Sequence, residues 1–263
     1  MKTLASKADF TIEPPTHGGV AYGPKRRGVA PLADLYLPSD GGPRPGVLLV
    51  HGGGFVIGSR RMKATCLLGK HMRTAGFAVA SIDYRLVGRG GRIQESLDDV
   101  VAAARWWATA GPQEHGVRPG PFSIVGLSAG ATLSLMAASE VGSEIVGDVV
   151  SVFGLYDFAG VKGLIGAGMR KLVFAGAEDW QARSPVFSKL QVPLTMLHGT
   201  VDQMVPVEQA HRLRDAREAE GLPTTFHEYE GARHAFFNSE RLAPSEEALG
   251  DVLDALRRAA RSR

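Results

Sequence analysis

Ser128 stands between two glycines in Gly126-Leu127-Ser128-Ala129-Gly130, after an apolar run and before a run rich in Ala, Leu and Met. Residues 121–125 read as a short buried strand and 129–141 as a helix. A serine at such a strand-to-helix turn is lifted out of the sheet. It is set at a helix N-terminus, where partial positive charge favours a developing anion. The chemistry on offer is nucleophilic attack on a carbonyl. The same five residues also fit a plain helix start capped by Ser128. The motif therefore has weight only if the chain also supplies a base, an acid and an anion-binding loop.

A hydroxyl is a poor nucleophile at neutral pH and needs a base within hydrogen-bond reach, itself oriented by a carboxylate. Downstream of Ser128, residues 194–197 lead into His198-Gly199-Thr200-Val201-Asp202, and 225–229 lead towards Gly231-Ala232-Arg233-His234. Each carries its polar residue onto the loop past a strand, about thirty residues apart, the length of one helix plus one strand. Alone, Asp202 is a reasonable turn residue and His234 a reasonable surface histidine. The order Ser, acid, His, with both on such loops, favours Asp202 as acid and His234 as base. Asp157, Glu178 and Asp179 compete for the acid role. His198, at a strand end, is expected to shape the acid loop; His227, mid-strand, is expected to face away from the loops or into the core. His51-Gly52-Gly53-Gly54-Phe55 follows the run 46–50, and consecutive glycines let amides turn inward. Amides of this glycine loop and the amide of Ala129 are the expected oxyanion donors. Phe55, Tyr84, Trp180, Val205 and Phe236 lie on or near these loops and are expected to line a substrate pocket.

These residues need a scaffold that gathers loops at one edge. Strand-like runs at 46–50, 77–82, 122–125, 149–153, 194–197 and 225–229 alternate with helix-like stretches at 61–74, 93–110, 129–141, 207–220 and 244–260. Several of the runs are continuously apolar, as in a parallel sheet covered on both faces. The rhythm predicts a doubly wound α/β sheet in one domain over 1–263, with catalytic loops beyond the carboxyl ends of its strands. The first forty-five residues are Pro- and Gly-rich and fit irregular chain leading to an edge strand at 33–38. Residues 157–190 break the rhythm and hold Gly160, Gly163, Gly166 and Gly168, which reads as a small cap insertion.

Composition narrows the classes. Of 263 residues, 44% are hydrophobic and 22% charged, the balance of a globular protein with a sizeable core. The single cysteine, Cys66, excludes an intrachain disulfide and a cysteine-based zinc site, and reads as a small buried side chain. A net charge of +3 comes from scattered basic residues without interleaved aromatics, which argues against nucleic-acid binding. Residues 1–10 lack the apolar core of a secretory signal, and no apolar run is long enough to span a bilayer. A soluble cytoplasmic enzyme is expected, with no metal or cofactor and a small-molecule substrate. Whether it forms a homodimer is left open.

The chain resembles the α/β-hydrolase superfamily, and more narrowly its HGGG-type serine esterases, the acetyl-esterase and hormone-sensitive-lipase-like branch. The resemblance runs from residue 33 to about 256. Besides the motifs above, it rests on Asp34-Leu35-Tyr36-Leu37-Pro38, on Ser81-Ile82-Asp83-Tyr84-Arg85-Leu86, on residues 94–100 leading to Trp106-Trp107, and on Ser184-Pro185. It implies an α/β-hydrolase fold with a small cap. It also implies Ser128 as nucleophile, Asp202 as acid, His234 as base, and Gly53, Gly54 and Ala129 as oxyanion donors. The N-terminal segment is short for the hormone-sensitive-lipase type. Related formamidases more often place a bulky aromatic soon after two glycines, whereas here Gly54 precedes Phe55. The resemblance thus implies hydrolysis of short-chain acyl esters through an acyl-enzyme. Formamide or amide hydrolysis of the arylformamidase type, sugar or xylan deacetylation, small-peptide hydrolysis and a catalytically silent binding module are the alternatives.

Overall fold

The computed structural model of the protein describes residues 13–160, 173, 181–188, 190–238 and 244–263. Among the described residues ten strands are formed: β1 His17–Ala21, β2 Leu32–Tyr36, β3 Gly46–Val50, β4 Ala78–Ile82, β5 Leu86–Val87, β6 Gly90–Gly91, β7 Phe122–Leu127, β8 Val146–Val152, β9 Leu194–Gly199 and β10 Thr224–Tyr229. The helices among the described residues are α1 Lys63–Thr74, α2 Ile93–Glu114, α3 Ala129–Val141, α4 Glu208–Ala219 and α5 Pro244–Arg261.

Eight strands make one sheet in the order β1-β2-β4-β3-β7-β8-β9-β10. β1 and β2 pair antiparallel at one edge, and the pairs from β4 onward are parallel. This is the α/β-hydrolase fold. From β3 the chain first moves to β4 on one side and then to β7 on the other. The loops after β3 and β7 therefore diverge and leave a crevice at the carboxyl ends of two adjacent strands. Gly53 and Ser128 are on those two loops.

Strand alternation builds a core on each face. Leu48 and Val50 pack with Trp107 of α2 and Leu133 of α3 on one side. Val47 and Leu49 pack with Leu68 and Met72 of α1 and Val252 and Leu256 of α5 on the other. Burial on both faces explains the continuously apolar run of β3. Cys66 is buried in α1 as expected. Among the described residues no helix is long and apolar enough to cross a membrane.

Four elements depart from the sequence reading. The Gly-rich start contains β1, held on β2 partly because the Gly19 amide donates to the Asp34 carboxylate at 2.8 Å. A short pair, β5 with β6, forms just after β4. Helix α2 runs past Pro112 to Glu114. That proline sits in the last turn, where few amide bonds remain to be lost, and the Val117 amide returns to the Gly111 carbonyl at 3.1 Å.

One ion pair ties the loop after β4 to α2. Asp99 accepts two guanidinium bonds from Arg85, at 2.8 and 2.9 Å, and the Arg85 amide at 2.9 Å. Both residues are buried. Removing one member of such a pair strands the other charge, at a cost of about 3–5 kcal/mol. Asp99→Ala should lose that much stability in urea unfolding with an unchanged m-value. A loss under about 1 kcal/mol would show that Arg85 is solvated without its partner.

Candidate active site

The elbow after β7 puts Ser128 at φ 51° and ψ −118°, a region that non-glycine residues rarely occupy. The chain after it is fixed by the Ala131 and Thr132 amides, which donate to the Ser128 carbonyl at 2.9 and 3.2 Å. The Ser128 amide donates to Val152 of the neighbouring β8 at 2.9 Å. The flanking glycines serve contact more than conformation. A Cβ on Gly126 would stand 2.4 Å from the Gly130 carbonyl oxygen, and one on Gly130 2.3 Å from that of Val50. Only glycine lets α3 lie this close to β7 and β3.

The loops that carry His234 and Asp202 arrive by strand register. β9 and β10 pair in parallel with Gly199 opposite Tyr229, so Asp202 and His234 leave adjacent strands at the same height. The loops are laced together. The Thr200 amide donates to the Tyr229 carbonyl and the Val201 amide to the Ala232 carbonyl, at 3.0 and 3.1 Å. The result is a continuous line of contacts. Ser128 Oγ lies 3.0 Å from His234 Nε2, and His234 Nδ1 lies 2.6 Å from Asp202 Oδ2. The other carboxylate oxygen of Asp202 accepts the Met204 and Val205 amides at 2.9 and 2.8 Å.

His198 is fully buried beside this carboxylate. Its Nε2 is 2.8 Å from the Val205 carbonyl and 3.4 Å from Asp202 Oδ2. Burial alone would raise the Asp202 carboxyl. Bonds from His198, His234 and the Val205 amide outweigh burial and hold the group well below the usual carboxylate range. Phe153, also at positive φ, packs its ring 4.9 Å from that of His234.

On the other side of Ser128, the loop after β3 folds against the elbow. Gly53 adopts φ 119°, and a Cβ there would strike the Ile57 carbonyl oxygen at 1.9 Å. Gly54 adopts φ 59°. Among the described residues, the amides of Gly53, Gly54 and Ala129 meet no protein acceptor. Below the loop, the Tyr84 hydroxyl donates to the His51 carbonyl at 3.0 Å and its ring stacks on His51 at 4.2 Å. Desolvation holds His51 below its ordinary pKa, against the Gly52 carbonyl bond and the Asp83 charge, so the stack stays uncharged at neutral pH.

The structure thus brings Ser128, His234 and Asp202 together, with Gly53, Gly54 and Ala129 around them. Asp157 is turned elsewhere, to Arg212 and to the Ala159 amide. His227 pairs with Asp251 of α5, away from the loops. Glu178, Asp179 and Trp180 lie outside the described residues. The expected pocket side chains are placed differently from the sequence reading. Phe55, Tyr84, Val205 and Phe236 are buried. Phe236 packs on Phe153, Tyr229 and Phe237 in the core, because the turn after His234 carries it inward. Loop residues show no periodicity from which that direction could be read. Phe153 was not anticipated, and its sequence context gives no signal for it.

The family model described as BD-FAE matches residues 33–216. The chain belongs to the BD-FAE family. Its curated relatives include the probable carboxylic ester hydrolase LipM of Mycobacterium tuberculosis, 28% identical over 83% of this chain. The chain spans 56% of LipM's length. A Pyrobaculum calidifontis esterase superposes with a TM-score of 0.81 at 23% identity, covering 94% of this chain and 87% of its own. Thermogutta terrifontis esterase 2, in a form phosphonylated by sarin, superposes at 0.77 and 22% identity over 92% of this chain and 94% of its own. These likenesses bear out the α/β-hydrolase fold and the resemblance to its esterases.

The depressed Asp202 carboxyl in this BD-FAE chain has a consequence for acid stability. The unfolded chain binds that proton more readily than the folded one. The contribution of Asp202 is therefore complete above the ordinary aspartate value of about 4 and is lost as the pH falls below it. The stability gap between the wild type and Asp202→Asn should be constant above about pH 5 and shrink towards pH 3. A gap that holds steady or widens across that interval would contradict the assignment.

Proposed function

We propose that the protein is a serine carboxylic-ester hydrolase that works through an acyl-enzyme on esters of short acids. The observation that carries this reading is the line from Ser128 Oγ through His234 to Asp202, at 3.0 and 2.6 Å. With Nδ1–H donating to Asp202, His234 presents a bare Nε2 to the serine hydroxyl. It takes the Ser128 proton as Oγ attacks the ester carbonyl, and then gives it to the departing alcohol. Water activated by the same nitrogen releases the acid. Amides of Gly53, Gly54 and Ala129 would meet the oxyanion, each donor being worth about 10²–10³ in rate. Asp202 stays ionised, fixes the tautomer and balances the imidazolium. LipM, described as a probable carboxylic ester hydrolase, supports the same reaction class.

The preference for short acids rests on the shortness in sequence of the insertion at 157–190. It also rests on the burial of Phe55, Tyr84 and Phe236, which keeps these three bulky rings from walling a long acyl tail. Methylenes beyond the pocket's end stay in water and gain nothing.

Ser128→Ala should lower kcat by about 10⁴-fold or more with folding intact. More than a tenth of wild-type activity would end the assignment. Asp202→Asn should cost orders of magnitude and Asp157→Asn far less; the reverse ranking would put the acid on the wrong loop. Across p-nitrophenyl acetate, butyrate, hexanoate, octanoate and palmitate, kcat/KM should peak at about two to six acyl carbons. A maximum at octanoate or beyond would contradict the short-acid preference.

A further inference from the structure

Exposed apolar side chains cluster at the proposed catalytic edge. Among the described residues, the large hydrophobics left in solvent are Val56, Ile57, Phe187, Val201 and Met204. Four of these five lie on two loops. Val56 and Ile57 follow Gly53 and Gly54, while Val201 and Met204 flank Asp202. Ile57 is 59% exposed and Met204 58%.

Both loops hold these side chains on a fixed backbone. The Val56 and Ile57 amides donate to the Gly53 carbonyl at 3.2 and 3.0 Å. Val201 is tied to Ala232 at 3.1 Å, and the Met204 amide to Asp202 Oδ1 at 2.9 Å. Each loop also drives an apolar neighbour, Phe55 or Val205, into the interior as an anchor. The exposed residues are therefore not loose ends of floppy loops. In the sheet, Ser128 follows β7, one strand from β3 and two from β9. The strands that carry the two apolar loops, β3 and β9, accordingly stand on either side of β7, about 14 Å apart across the sheet. Apolar surface concentrated at a site is a mark of what the site binds.

We propose that Ile57 and Met204, with Val56 and Val201, form an apolar rim that selects esters of hydrophobic alcohols. The inference rests on the esterase reading. With a short acyl group seated at Ser128, the part of the ester long enough to reach the rim is the alcohol. A polyhydroxylated alcohol such as a sugar would leave its hydroxyls facing side chains that offer them no partner, so acetylated sugars are disfavoured.

The test holds the acyl group constant as acetate and varies the alcohol through methyl, butyl and hexyl, with an acetylated sugar beside them. kcat/KM should rise by about two- to fourfold per methylene, the gain from partial to full burial of each. The double variant Ile57→Ser, Met204→Ser should flatten that slope. Ile57→Val, Met204→Leu should keep it and guards against a folding defect in the serine variant. A flat wild-type slope with measurable hydrolysis would overturn the rim while leaving the esterase reading intact. So would a sugar acetate turned over faster than hexyl acetate, or a rate that jumps only once the ester forms micelles, which would assign these side chains to a lipid surface. Failure to hydrolyse any ester would overturn both readings.

Discussion

A serine with φ near +51° sits in a conformation that costs about 1–3 kcal/mol and persists only where its surroundings fix it from several sides. In this molecule that constraint is met by the close approach of α3 to two strands. Gly126 and Gly130 have no room for a Cβ, so helix and sheet meet at backbone distance and the turn between them has nowhere else to go. Thr132 adds a side-chain bond to the Leu155 carbonyl at 2.8 Å, tying the first turn of α3 to the exit of β8. The strained residue is also the one whose hydroxyl meets His234. A glycine-to-alanine change at 130 would be felt as lost packing first and as a displaced Ser128 second.

The same logic of fixed backbone runs through the other partners. His234 has to cross from the end of β10 to the elbow beyond β7, a span bridged by the loop rather than by the sheet. Phe153 supports its ring from below, and Asp202 holds Nδ1 at 2.6 Å. Asp202 is in turn held on both oxygens, by two amides on one and by imidazoles on the other. On the opposite side, the uncharged His51–Tyr84 stack props the glycine loop without placing a cation beside the Gly53 and Gly54 amides. Electrostatic stabilisation by fixed dipoles needs such rigidity, because donors that must reorganise during reaction lose their advantage.

Much of this was legible in the sequence because the signals are local. Strand and helix runs, the order of Ser128, Asp202 and His234, and the glycines at 53 and 54 are all short-range patterns tied to chain punctuation. His198 was legible too, since its position at a strand end announced a role in the acid loop. What was not legible depends on side-chain direction in loops. Phe55 and Phe236 point inward because of single positive-φ turns, at Phe55 itself and at Ala235, which no propensity forecasts. β1 was hidden because Gly18 and Gly19 argue against a strand, and its partner's Asp34 supplies the bond that overrides them. The glycines around Ser128 were visible as a motif, but their part in helix–sheet contact required the packed structure.

The central claim is that Ser128 is a nucleophile activated by His234. Incubation with a fluorophosphonate, followed by peptide mass spectrometry, measures this most directly, because only an activated serine forms the phosphonyl ester at a useful rate. The account predicts one adduct per chain, located on Ser128, absent from Ser128→Ala and slowed by orders of magnitude in His234→Ala. An adduct on a different serine, or labelling of His234→Ala at the wild-type rate, would contradict it.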